Sequence, residues 1–185
     1  MKLSRIWMWV RWPLAALLVG FIALVIWRYQ VLVEQDKTDV AVAAIHANRL
    51  TEEDVFGDLP PEPNKTENDA TLAGIDTNAN GIRDDVERAI YFKYQASAKD
   101  AAPAFQYAKA LQMEFTHVYN SPTLVAVIQE QARGSLCLED DEKISQIEEL
   151  VFNNDQRSQH RENNSRMYMT SYTLPSPNGA CDISL

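Results

Sequence analysis

Within twelve residues the chain sets Asp76, Asn78, Asn80, Ile82, Asp84 and Glu87 at positions one, three, five, seven, nine and twelve, with Gly81 at position six. Asp76, Asn78 and Asn80 offer short side-chain oxygens, Ile82 its backbone carbonyl, and Asp84 a carboxylate that acts directly or through a water. Glu87 has the extra methylene needed to reach back with both oxygens. Gly81 stands where the chain must turn sharply and a Cβ would obstruct. This donor set suits calcium, a hard cation that takes about six to eight oxygens at roughly 2.3–2.6 Å. The competing reading is an Asn/Asp/Gly-rich turn that caps a helix starting near Asp84. That reading leaves Gly81 and Glu87 without a reason.

The pattern resembles the EF-hand loop. An EF-hand carries its aliphatic residue at position eight, whereas this chain has Ile82 at seven and Arg83 at eight. Asn80-Gly81-Ile82-Arg83-Asp84-Asp85 is more similar to the calcium loops of thrombospondin type 3 and related bacterial envelope proteins. The string from Thr71 to Arg88 also resembles a group of uncharacterised bacterial envelope proteins. The resemblance spans about twenty residues; it implies Ca2+ binding and no particular activity. No helical pattern enters the loop from before Asp76, and there is one loop rather than a cooperating pair. The expected role is therefore structural, fixing a linker to the helix that follows. With two of the first three ligands neutral, affinity is expected at roughly 10⁻⁴–10⁻³ M, the range of extracellular modules.

Other residues that could do chemistry are sparse. Cys137 and Cys181 are the two cysteines. An even pair outside the cytoplasm suggests a disulfide tying the polar tail to the start of the helix that carries Ile144, worth roughly 4 kcal/mol in the chain-entropy model. Two free thiols are the alternative. His46, His117 and His160 lie far apart with no metal-ligand spacing. No Gly-rich phosphate loop or Gly-x-Ser-x-Gly elbow occurs. Glu148-Glu149 reads as a solvated helix face, and Met167-Tyr168-Met169 as packing with some room for docking.

Residues 12–27 contain no charged or strongly polar group, and Trp7, Trp9 and Trp12 at one end face Trp27 and Tyr29 at the other. Apolar length and aromatic flanks predict a membrane span. Arg28, Tyr29 and Gln30 follow where a signal peptidase would need small residues, so the segment reads as an uncleaved signal-anchor rather than a cleaved signal. Lys2, Arg5 and Arg11 precede the span and Glu34, Asp36 and Asp39 follow it. The positive-inside rule then places the N-terminus in the cytoplasm and the rest in the periplasm or outside the cell.

The remaining elements must carry the loop. The expected organisation is a cytoplasmic tip and anchor over residues 1–30, a juxtamembrane helical segment over 31–58, a Pro-rich linker over 59–75 and a helical calcium-loop domain over 76–185. Thr51 before three acids reads as an N-cap, with Gly57 as a stop. The stretch 59–69, with three prolines, is expected to hold no regular structure. Val86, Ala89, Ile90 and Tyr94 share one helical face. Ala104, Ala108, Leu111, Phe115 and Val118 make the stripe of a half-buried helix. Ser121-Pro122 is read as N-cap and first residue of a helix closed by Gly134. Ile144, Ile147, Leu150 and Val151 form the next stripe. Residues 155–169 look weakly helical, and the tail from Leu174 to Cys181 looks like a loop.

Beyond residue 28 the chain has 13 basic against 26 acidic residues. Such a surface repels phosphates and excludes nucleic acid as a partner. The sequence thus points to a mainly α, single-pass inner-membrane protein with a small extracytoplasmic helical domain and an EF-hand-like loop. The expected function is non-enzymatic calcium binding in the envelope, with an envelope protein as the candidate partner. The alternatives are a periplasmic enzyme with dispersed residues and a calcium-responsive signalling protein.

Overall fold

A computed structural model describes residues 3–94, 97–173 and 179–183, with backbone alone at 3–11 and 98. Among these residues all regular structure is helical, with no strand. The expected loop at 174–178 lies outside the described residues. The chain forms two compact units, residues 1–40 and 41–185.

The first unit is the body of α1 (Leu3–Ala47), whose last turns belong to the second unit. At 1.5 Å per residue its 45 residues extend about 68 Å, well beyond a bilayer's hydrocarbon core. Leu17, Val19 and Phe21 are each more than 60% exposed. Among the described residues this is the one helix long and apolar enough to cross a membrane.

The second unit is built around α5 (Ala98–Thr116). α4 (Asp84–Tyr94), α6 (Ser121–Leu138), α7 (Asp141–Val151) and α8 (Asp155–Tyr168) all pack on it. The sequence stripe suggested a half-buried helix, but α5 is enclosed on every side. Gln106, Lys109, Gln112 and Glu114 are as buried as Ala104, Ala108 and Leu111. Each of those polar residues finds a hydrogen-bond partner in the surrounding helices or loops.

The short helix α2 (Glu52–Phe56) starts and stops as expected, with a Thr51–Asp54 capping box and Gly57 after its last residue. Three boundaries differ from the sequence reading. The proline-containing stretch is not wholly irregular: Asn64 caps a one-turn helix, α3 (Lys65–Asn68), because its side chain accepts the amides of Thr66 and Glu67. α6 is capped by Asn120 rather than Ser121, and Gly134 does not end it. A Cβ at Gly134 would sit 2.9 Å from Tyr107 Cα, so this glycine permits the close approach of α5 and α6. The helix runs on to Leu138 and ends at Glu139 in the left-handed conformation. Residues 155–168 form a full helix because Arg157 and Asn164, though polar, are buried and bonded.

Candidate functional site

No helix lies between Asn68 and Asp84, and the chain there is held by side chains from distant helices. Arg157, 1% exposed, donates to the carbonyls of Asn68, Thr71 and Leu72 and pairs with Asp69 at 2.9 Å. Gln112 donates to Ala73 O at 2.7 Å. Arg83, fully buried, donates to the last carbonyls of α7, Leu150 O at 2.9 Å and Val151 O at 3.2 Å. It also pairs with Asp85. Gly74 (φ +70°) is required beside it, since a Cβ there would fall 2.1 Å from Arg83 Cδ. These residues form a clasp under the loop.

Above the clasp the loop folds on its own short side chains. Asp76 accepts the amides of Asn80 (3.2 Å) and Gly81 (2.9 Å), and Asn80 Oδ1 accepts the amide of Ile82 (2.8 Å). Ala79 and Gly81 are left-handed, at φ 56° and 86°. Ile82 sends its side chain into the core. Glu87, in the first turn of α4, is 4% exposed and accepts from Asn78 Nδ2 (3.3 Å to each oxygen) and Asn80 Nδ2 (3.0 Å).

The structure therefore brings Asp76, Asn78, Asn80 and Glu87 together and seats Ile82 between the loop and the core. Asp84 stands near enough for its charge to act on Glu87 but is bonded elsewhere. That carboxylate, 1% exposed, accepts the Thr77 amide at 2.9 Å and its hydroxyl at 2.5 Å. Asp84 thus ties Thr77 to the start of α4, and the first-turn amide of Val86 is accepted by Asp85 at 2.9 Å. Among the described residues no group of three or more His, Cys, Asp or Glu is placed to hold a metal ion. The converging donors are two carboxylates, Asp76 and Glu87, and two carboxamides, Asn78 and Asn80, each already hydrogen-bonded within the loop.

The electrostatics single out Glu87. Burial pushes its carboxyl up to about 7; the charges of Asp84 and Asp76 add to the rise, and the Asn80 and Asn78 amides oppose it. Among the described residues none of Asp76, Asp84 and Glu87 pairs with a basic side chain. A buried carboxylate without a cation is an expensive arrangement. The donor set fits a hard cation in type, with two carboxylates and two carboxamides; here Asn78 and Asn80 turn their nitrogens to Glu87 and their oxygens to the amides of Asn80 and Ile82.

A cleft of about 510 Å³ borders the loop and is lined by Asp76, Asn80 and Gly81 together with Asn48, Arg49 and Gln112. Its buried Lys109 is already committed, to Arg49 O at 3.0 Å and Asp54 at 3.1 Å.

The histidines are dispersed as expected: His46 meets Glu130 at 2.7 Å, His117 meets Thr116, and His160 meets Glu114 O. Glu148 is more than a solvated face residue, because it accepts from Tyr107 (2.9 Å) and Arg161 (3.1 Å). Cys137 and Cys181 are joined in a disulfide, but Cys137 lies in the last turn of α6 rather than at the start of α7. Arg83 at position eight was the visible irregularity of the loop. Nothing in the sequence marked Arg157 or Gln112 as its supports.

No family model matches this chain, and neither the curated proteins nor the solved structures contain a match to it.

Proposed function

We propose that the chain is a membrane-anchored, extracytoplasmic calcium-binding protein in which the ion is structural and no reaction is catalysed. The observation that carries this reading is Glu87, a buried carboxylate enclosed by Asn78, Asn80 and Asp76 and lacking a cationic side chain. A divalent cation would supply the missing charge. Asp76, Asn78, Asn80, Ile82, Asp84 and Glu87 would hold it, with Asp84 released from Thr77 or acting through water. The likeness of the loop to EF-hand and thrombospondin type 3 loops supports the same ion. The exposed apolar helix supports an anchor, and the basic residues before it support a cytoplasmic N-terminus. An envelope protein is the proposed partner of the displayed domain.

Calorimetric titration of the detergent-solubilised full chain tests the site. We expect one calcium per chain at roughly 10⁻⁴–10⁻³ M and none in Glu87→Gln. Absence of binding to the wild type, or equal binding to the variant, would overturn the proposal.

The cleft favours a second reading, a ligand-binding domain. Gln112 lines it, and Gln112 Oε1 is buried without a hydrogen-bond partner. Against an enzyme, the carboxyls raised by burial, Glu87 and Glu114, are not among the residues lining the cleft.

A further inference from the structure

The C-terminal tail holds a buried charge cluster together, and one disulfide ties that tail covalently to α6. The Asp182 side chain is 5% exposed. It accepts Arg133 at 2.6 Å and the backbone amide of Leu50 at 2.9 Å, while its own amide donates to Gln106 Oε1 at 2.8 Å. Ala180 O accepts both Gln106 and Arg133, each at 2.7 Å. Arg133 also pairs with Glu130, which in turn meets His46 and Arg49. Gln106 on α5, Arg133 on α6 and the segment that follows α1 thus share partners supplied by Ala180 and Asp182. Between those two residues sits Cys181.

The disulfide is placed for exchange. Cys181 is exposed and Cys137 half-buried, and a cleft of about 340 Å³ opens beside both, flanked by Lys99, Pro103 and Glu139. We propose that Cys137–Cys181 is a thiol–disulfide exchange site for a dithiol oxidoreductase, and that its redox state sets whether the tail locks residues 46–50 to α6. One thiolate of the dithiol attacks Cys181 Sγ, the exposed sulfur, and Cys137 leaves as a thiolate that takes a proton from water. The second thiol of the reductant then displaces Cys181. Two electrons pass to the protein, which gains two thiols, and the reductant becomes a disulfide. With the tail freed, Arg133 keeps Glu130, Gln106 loses both partners, and the Leu50 amide loses its acceptor.

The Leu50 amide is a direct reporter. The full chain in detergent is treated with dithiothreitol without denaturant, thiols are counted by alkylation and mass spectrometry, and amide hydrogen exchange is read with and without reduction. We expect two thiols per chain and a loss of Leu50 protection by roughly tenfold or more, the effect of losing a buried charged hydrogen bond. Protection at Leu111 in the core should persist. Cys181→Ser should reproduce the reduced pattern, and Asp182→Asn should loosen Leu50 with the bond intact. A disulfide that yields only in denaturant would overturn the proposal. So would reduced protein with Leu50 still protected, or reduction that unfolds Leu111 as well.

Discussion

Replacing Glu87 with Gln should remove the stabilisation that calcium gives. In the metal-free fold the carboxyl holds its proton up to about 7, against 4.5 in the unfolded chain. Above pH 7 the folded state therefore carries an ionised group at a cost of roughly 3 kcal/mol. Glutamine is nearly isosteric and neutral, so in EDTA at pH 8 the variant should equal or exceed the wild type in stability. With calcium the wild type alone gains. At about 10 mM calcium and a Kd of roughly 10⁻⁴–10⁻³ M, binding stabilises the wild type by about 1.4–2.7 kcal/mol. For a domain of this size that raises Tm by roughly 3–10 °C. The variant, lacking the bidentate ligand, should shift by less than about 1 °C on the same scale. Four melts, two proteins each in EDTA and calcium, decide the matter. A wild-type Tm that is identical in both, or a variant that rises as the wild type does, refutes the reasoning about Glu87.

The same carboxyl gives a pH dependence. Because the folded state binds its proton more tightly, the Glu87 contribution is complete below pH 4.5 and lost as pH rises to about 7. The metal-free Tm difference, wild type minus Glu87→Gln, should therefore fall across that window, and a flat difference would refute it. Arg83→Met leaves the Leu150 and Val151 carbonyls without their buried donor and should cost about 3 kcal/mol in urea denaturation; a loss below about 1 kcal/mol would show that water replaces it. Gly134→Ala should destabilise by about 1–3 kcal/mol through overpacking against Tyr107, although alanine is the better helix former. A variant as stable as the wild type would mean that α5 and α6 separate freely.

The apolar periods reported the helices well where one face was buried. Val86, Ile90, Ile147 and Val151 are all in the core. The long apolar N-terminal helix and the cysteine pairing were equally legible, since both depend on residue type more than on context. Periodicity failed at α5, because a helix enclosed on all sides must also bury its polar residues, and their partners come from other segments. It failed again at Gly134, where a residue that ordinarily stops helices serves a close crossing. The loop's local geometry was visible as far as Asp76, Asn80, Gly81 and Glu87, whose contacts are short-range. The bond between Asp84 and Thr77 was not legible, because Thr77 stands at a loop position that the donor pattern leaves unassigned. Arg157 could not be read as a support of the loop, because its partners lie up to 89 positions away.

That distance has a consequence for how the domain is made. The chain emerges from its N-terminus, so α1 and the 68–83 segment exist long before α8. Until Arg157 arrives, the carbonyls of Asn68, Thr71 and Leu72 lack their donor, and the last carbonyls of α7 that receive Arg83 belong to a helix made only shortly before. Closing contacts of such span is slow compared with forming local turns. The loop can therefore sample its own Asx turns early, but its platform sets only when the C-terminal helix docks. Assembly of the domain is completed from its far end, with α1 first in time and the loop's support last.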